Sequence, residues 1–120
     1  MRRILWWLIG GSRGGRNRLR IILTLHETPM NANQLSESLE LDYKTTRHHL
    51  DLLCENRVLT TMGDGYGMTY FLTDQMEENL DVLKQVARKA DMSEILPTES
   101  SSPEAGVNME SDGETQNDRE

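Results

Sequence analysis

The chain holds one cysteine, Cys54, in 120 residues. That excludes an intramolecular disulfide framework and a cysteine zinc cluster, and a reducing compartment, the cytoplasm, is expected. Aromatic residues make up only 5%, so a folded part of about 80 residues would be marginally stable alone, and a dimer is physically attractive. Long apolar runs are missing too. The run Ile4, Leu5, Trp6, Trp7, Leu8, Ile9 follows Arg2 and Arg3, but it falls short of the roughly 7–15 residues of a secretory core and the roughly 20 of a spanning helix. There is no P-loop and no dinucleotide fingerprint. Cys54 follows His49 at i+5 and His48 at i+6, spacings that do not place a nucleophile and its base on one helix face. With His26 as the third histidine, no metal-ligand spacing arises. No enzyme, cofactor or metal is expected.

What is present is an uneven distribution of charge. Residues 1–75 hold nine basic and eight acidic side chains, a balance of +1, while residues 76–120 hold four and twelve, a balance of −8. Six arginines, Arg2, Arg3, Arg13, Arg16, Arg18 and Arg20, precede the first acid. The net charge of −7 therefore does not argue against a nucleic-acid partner.

The centre of the chain is NANQLSESLELDYKTTRHHLDLLCEN, from Asn31 to Asn56. Asn31 and Gln34 have capping-box spacing and predict a helix from Ala32 to Leu39, with Ala32, Leu35 and Leu39 on its apolar stripe. Asp42 caps a second helix, Tyr43 to Glu55, whose buried face carries Thr46, Leu50 and Leu53 and whose stop is Asn56 in a left-handed conformation. Two capped helices in tandem read as a helix-turn-helix. Tyr43, Lys44, Thr45, Arg47 and His48 then lie at the end that enters a major groove. Lys44 and Arg47 suit guanine O6 and N7 or phosphate, Thr45 suits a thymine methyl, and His48 suits an acceptor edge. The alternative is a merely solvated helix face.

The run LSESLELDYKTTRHHLDLLCENRVLTT resembles the helix-turn-helix and first wing strand of ArsR-type winged-helix transcription regulators. Thr45, His48, His49, Leu50 and Leu53 match the recognition-helix pattern in register, and the resemblance extends from Arg16 to Leu72. It implies a sequence-specific, usually dimeric, prokaryotic DNA-binding regulator.

Around that centre, Leu19, Ile22, Leu23 and Leu25 predict a helix from Arg16 to Glu27, ended by Pro29. Its Arg16, Arg18 and Arg20 either contact phosphates or cap and solvate the helix. Arg57 is a further candidate for the backbone. Alternating residues over 57–62 and 68–72, separated by Gly63, Asp64, Gly65, Tyr66 and Gly67, predict a hairpin wing. Its tip has Asp64 and no Lys or Arg; either Tyr66 reaches a phosphate or the hairpin only completes the core. Asp74 and Glu77 open a helix to Ala90 whose seam, Met76, Leu80, Leu83 and Ala87, either packs on the first helix of its own chain or pairs with a two-fold mate, and dimerisation is the preferred reading.

The fold expected is mainly α with a small β-hairpin wing, a winged helix-turn-helix with a three-helix core and a C-terminal helix. Residues 1–15 form a docking segment in which Trp6 and Trp7 pack on the C-terminal helix or across a dimer; membrane attachment is the rival. Residues 16–92 form the domain, and residues 93–120 an acidic disordered tail. The function expected is a homodimeric regulator reading a palindromic site in double-stranded DNA. The alternative is a winged-helix protein-interaction module that does not bind DNA.

Overall fold

The computed structural model describes residues 1–97, and most of the expected tail lies outside them. The chain starts with helix α1 (Arg2–Leu5), which runs into a π-helical stretch, Trp6–Gly10. Then follow α2 (Gly15–Glu27), β1 (Met30–Asn31), α3 (Ala32–Leu39) and α4 (Tyr43–Glu55). The wing strands are β2 (Leu59–Met62) and β3 (Thr69–Leu72), and the last helices are α5 (Asp74–Glu77) and α6 (Leu80–Lys89).

The caps read from the sequence form as expected. Gln34 N donates to Asn31 Oδ1 at 2.8 Å while Asn31 N donates to Gln34 Oε1 at 3.0 Å, closing a capping box on α3. Asp42 Oδ2 accepts from Thr45 N at 3.1 Å at the start of α4. The stop of α4 differs by one residue, because Arg57 takes the left-handed conformation (φ 63°) while Asn56 does not (φ −97°). Val58 N thereby reaches Leu53 O at 2.9 Å, closing the helix end as a Schellman-type turn does.

The sheet has the order β1-β3-β2 and is antiparallel throughout. Leu59 faces Leu72 and Met62 faces Thr69 across the hairpin, and Met30 pairs with Tyr70. Strand β1 is absent from the sequence reading because two residues carry no periodicity. It matters all the same: Asn31 both pairs with Thr69 and caps α3, so the wing is tied to the first helix of the helix-turn-helix.

The expected helix from Asp74 to Ala90 is broken. Thr73, not Asp74, supplies the cap, its Oγ1 accepting from Met76 N at 3.1 Å. At Asn79 the side chain donates back to Gln75 O at 2.8 Å, competing with the helical ladder, and a new helix starts at Leu80.

The core collects Leu5, Leu8 and Ile9 from the N-terminal segment, Leu19, Ile22 and Leu25 from α2, Leu35 from α3, Leu50 and Leu53 from α4, and Leu83, Val86 and Ala87 from α6. Helix α6 packs on α1 and the π-helical stretch of its own chain. This corrects the expected dimer seam. Leu83 and Ala87 are fully buried within the chain, because the N-terminal segment with Leu5, Leu8 and Ile9 already provides the apolar partner that α6 needs; Met76 is buried on α5, which packs on β3.

The expected start of the tail also shifts. Ser93–Ile95 forms a 3-10 turn, Ile95 and Leu96 pack against the core, and Glu94 pairs with Arg16.

Candidate nucleic-acid interface

The helix-turn-helix is built from α3 and α4, which pack directly on each other. Thr46, His49, Leu50 and Leu53 are buried beneath α4. Their spacing leaves Tyr43, Lys44, Thr45 and His48 exposed along the N-terminal half of the opposite face. All four side chains are open to solvent. Arg47 is half-buried beside Tyr43, its Nη1 donating to the Tyr43 hydroxyl at 3.2 Å.

The orientation of α4 is fixed from below. Arg18 of α2 is only 3% exposed, which corrects its expected contact with the DNA backbone. Its Nε donates to Leu8 O at 2.7 Å, and its Nη2 donates to Ser12 Oγ at 2.6 Å and Arg13 O at 2.7 Å. Its Nη1 lies 3.1 Å from His49 Nδ1. Guanidinium has no lone pair to offer, so Nδ1 must accept, and neutral His49 carries its proton on Nε2. Burial, then the charges of Arg18 and His48, holds the His49 pKa below its ordinary value. The physical reason for the correction is the N-terminal segment, whose chain end at Leu8, Ser12 and Arg13 gives the arginine acceptors that only a folded first turn supplies.

The glycines there are needed for the same junction. Gly14 has φ 85°, and a Cβ on Gly15 would lie 1.7 Å from Ile9 O. Only glycine permits that approach of α2 to the preceding segment.

The other candidate backbone contacts are scattered. Arg16 is exposed and paired with Glu94, whose carboxyl is held below its usual range by that hydrogen bond. Arg20 donates to Asn17 Oδ1 at 3.0 Å and Leu39 O at 3.1 Å. Both arginines line a hollow of about 860 Å³ bounded also by Leu39, Met92 and Ile95, apart from the exposed face of α4. Arg57 is exposed in the turn leading from α4 to the wing. The Tyr66 side chain lies outside the described residues.

Cys54 is half-buried, and burial, then Asp51 and Glu55, pushes its thiol pKa up. It is held as a neutral thiol, which is a poor nucleophile. Among the described residues no group of three His, Cys, Asp or Glu side chains could hold a metal ion, and no helix is long and apolar enough to cross a membrane.

Residues 16–61, which run from α2 through α4 into β2, match the family model described as "Bacterial regulatory protein, arsR family". The segment is similar to the helix-turn-helix of that family. Solved structures agree on the fold around it. Reduced HlyU from Vibrio cholerae is similar at 20% identity with a TM-score of 0.54, covering 71% of this chain and 87% of that one. RV1404 from Mycobacterium tuberculosis is similar at 13% identity with a TM-score of 0.52, covering 73% and 63%. A MarR family protein from Bacillus stearothermophilus is similar at 21% identity with a TM-score of 0.50, covering 86% and 70%. No curated protein matches the chain. The match over residues 16–61 and the winged-helix architecture support the reading of the chain as a DNA-binding transcription regulator.

Proposed function

We propose that the chain acts in the cytoplasm as a homodimer that reads a palindromic operator through α4. The observation that carries this reading is the exposed row Tyr43, Lys44, Thr45 and His48 at the capped start of α4, with the helix locked against α2 beneath it. Lys44 donates to guanine or phosphate, Thr45 meets a thymine methyl, and His48 and Tyr43 hydrogen-bond to the groove edge. Arg57, Arg16, Arg20 and Tyr66 are the remaining candidates for phosphates, with Arg16 exchanging Glu94 for DNA.

The dimer contact in this reading is the N-terminal segment, residues 1–15. Ile4, Trp6 and Trp7 remain exposed although Leu5, Leu8 and Ile9 beside them are buried. Two tryptophans left outside a folded chain are apolar area in search of a partner, and a second copy of the same face satisfies both. Residues 16–92 form the DNA-binding unit, and the acidic stretch beyond them keeps the protein soluble or competes with DNA for its basic surface.

Two observations favour the alternative of a protein-interaction module: the wing offers no cation, and Met62 on it is strongly exposed. Selection from a random duplex pool separates the two. A two-fold symmetric site recovered by the full chain supports the regulator; a pool that stays random after repeated rounds rejects it.

A further inference from the structure

We propose that the cleft between α4 and the wing is an oxyanion site in which Arg47 holds one backbone phosphate of DNA, leaving base recognition to its neighbours. The phosphate's source as DNA rests on the DNA-binding reading above. The cleft has a volume of about 400 Å³ and is walled by Asn31 and Asn33 at the start of α3, Tyr43 and Arg47 on α4, Gly65 in the turn of the wing, and Tyr70 on β3. None of its lining residues is acidic.

Arg47 is poised there in an unsatisfied state. Its guanidinium carbon lies 6.0 Å from the centroid of the Tyr43 ring, and Nη1 is bonded to the Tyr43 hydroxyl. Its Nε is buried with no hydrogen-bond partner, alone in that condition among side-chain nitrogens and oxygens of the described residues. A desolvated N–H left unpaired is costly, so an incoming acceptor is strongly favoured. Rotation of the planar guanidinium turns its Nε and Nη2 edge into the cleft, where two oxygens of one phosphate match the fork.

The rest of the wall suits the same guest. Asn31 spends its side-chain oxygen on the α3 cap, which leaves its amide hydrogens as donors. Ala32 and Asn33 form the first turn of α3 and line the cleft, where the positive end of the helix dipole favours an anion. Base reading, by contrast, requires an exposed side chain, and Arg47 is half-buried and tethered to Tyr43. A free phosphate presents the same oxygens, so the site chemistry is common to both and the experiment must separate them.

The test compares the wild-type chain with Arg47→Gln on a selected duplex, on its single-base-pair variants and on duplexes carrying single neutral methylphosphonates, across a salt series. Arg47→Gln is expected to weaken every sequence alike by about ten- to a hundredfold and to lower the salt slope by about 0.9. It is also expected to become insensitive to one methylphosphonate that weakens the wild type. Arg47→Lys, which keeps the charge and loses the fork, is expected to restore the slope and only part of the affinity. Lost discrimination at one base pair with an unchanged slope overturns the proposal in favour of base reading, and so does unchanged affinity. Should the wild type bind no duplex, the DNA reading falls. The cleft is then judged by titrating inorganic phosphate while following the Arg47 Nε–H resonance: a saturable shift absent from Arg47→Gln retains an oxyanion site for free phosphate, and no shift removes it.

Discussion

The guanidinium of Arg18 lies 3.1 Å from Nδ1 of His49 and joins the start of α2 to the underside of the recognition helix. The same guanidinium holds Leu8 O, Ser12 Oγ and Arg13 O. One buried cation thus fixes both the N-terminal segment and α4. Replacing Arg18 with Ala strands these acceptors, and hydrogen bonds from a charged donor are each worth about 1.5–3 kcal/mol. The expected loss of stability is at least about 3 kcal/mol, measured by urea unfolding; a loss under about 1 kcal/mol would show that the network is incidental.

The same contact sets a pH dependence. The folded state depresses the His49 pKa, first through burial and then through Arg18 and His48. The unfolded chain therefore binds this proton more readily, and by linkage stability rises with pH across the interval between the two values. The contribution of His49 is complete above its ordinary value of about 6.5 and is lost as pH falls through the lower, folded value. Urea unfolding between pH 5 and 8 should show this slope in the wild type and a smaller one in His49→Gln. Equal slopes in the two proteins would remove His49 as the cause.

Gly15 is expected to be intolerant of the smallest side chain. Its Cβ would lie 1.7 Å from Ile9 O, a backbone atom that cannot step aside alone. Gly15→Ala should cost about 3 kcal/mol and release the N-terminal segment, read as faster amide exchange at Leu5, Leu8 and Ile9. A variant with wild-type melting would contradict this packing.

Burial separates two sets of apolar residues that look alike in sequence. Trp6 is 44% and Trp7 51% exposed, while Leu83 is fully buried. Joint replacement of Trp6 and Trp7 with Ala should shift sedimentation from dimer to monomer with the fold intact. Leu83→Ala should instead lower stability by about 2–5 kcal/mol. A tryptophan double variant that remains dimeric would move the interface elsewhere.

These contrasts mark how far the sequence could be read. Local signals carried well: the Asn31 and Gln34 box, the Asp42 cap and the glycine-rich hairpin each depend on residues within a few positions of one another. Tertiary partners did not. Arg18 falls in helical phase with Gly15, Leu19 and Ile22 on the buried face, and that phase was the available warning. Its acceptors, however, exist only once residues 8–13 have folded. Likewise the seam of α6 is a sound apolar stripe, and nothing local told whether a second copy or Leu5, Leu8 and Ile9 would cover it. The Arg47 cleft was out of reach for the same reason, since Asn31, Arg47 and Tyr70 meet only through the pairing of β1 with β3.

The most direct test of the account is fluorescence anisotropy of a labelled duplex carrying the selected site, titrated with the full chain across a salt series, beside a Lys44→Ala/His48→Ala variant. The account predicts saturable binding whose logarithm falls linearly with the logarithm of salt, by about 0.9 per phosphate contact. The variant should fold normally and lose preference for the site over random DNA. Absence of binding at low salt, or a variant that discriminates as well as the wild type, would contradict the assignment of α4 as the reading helix.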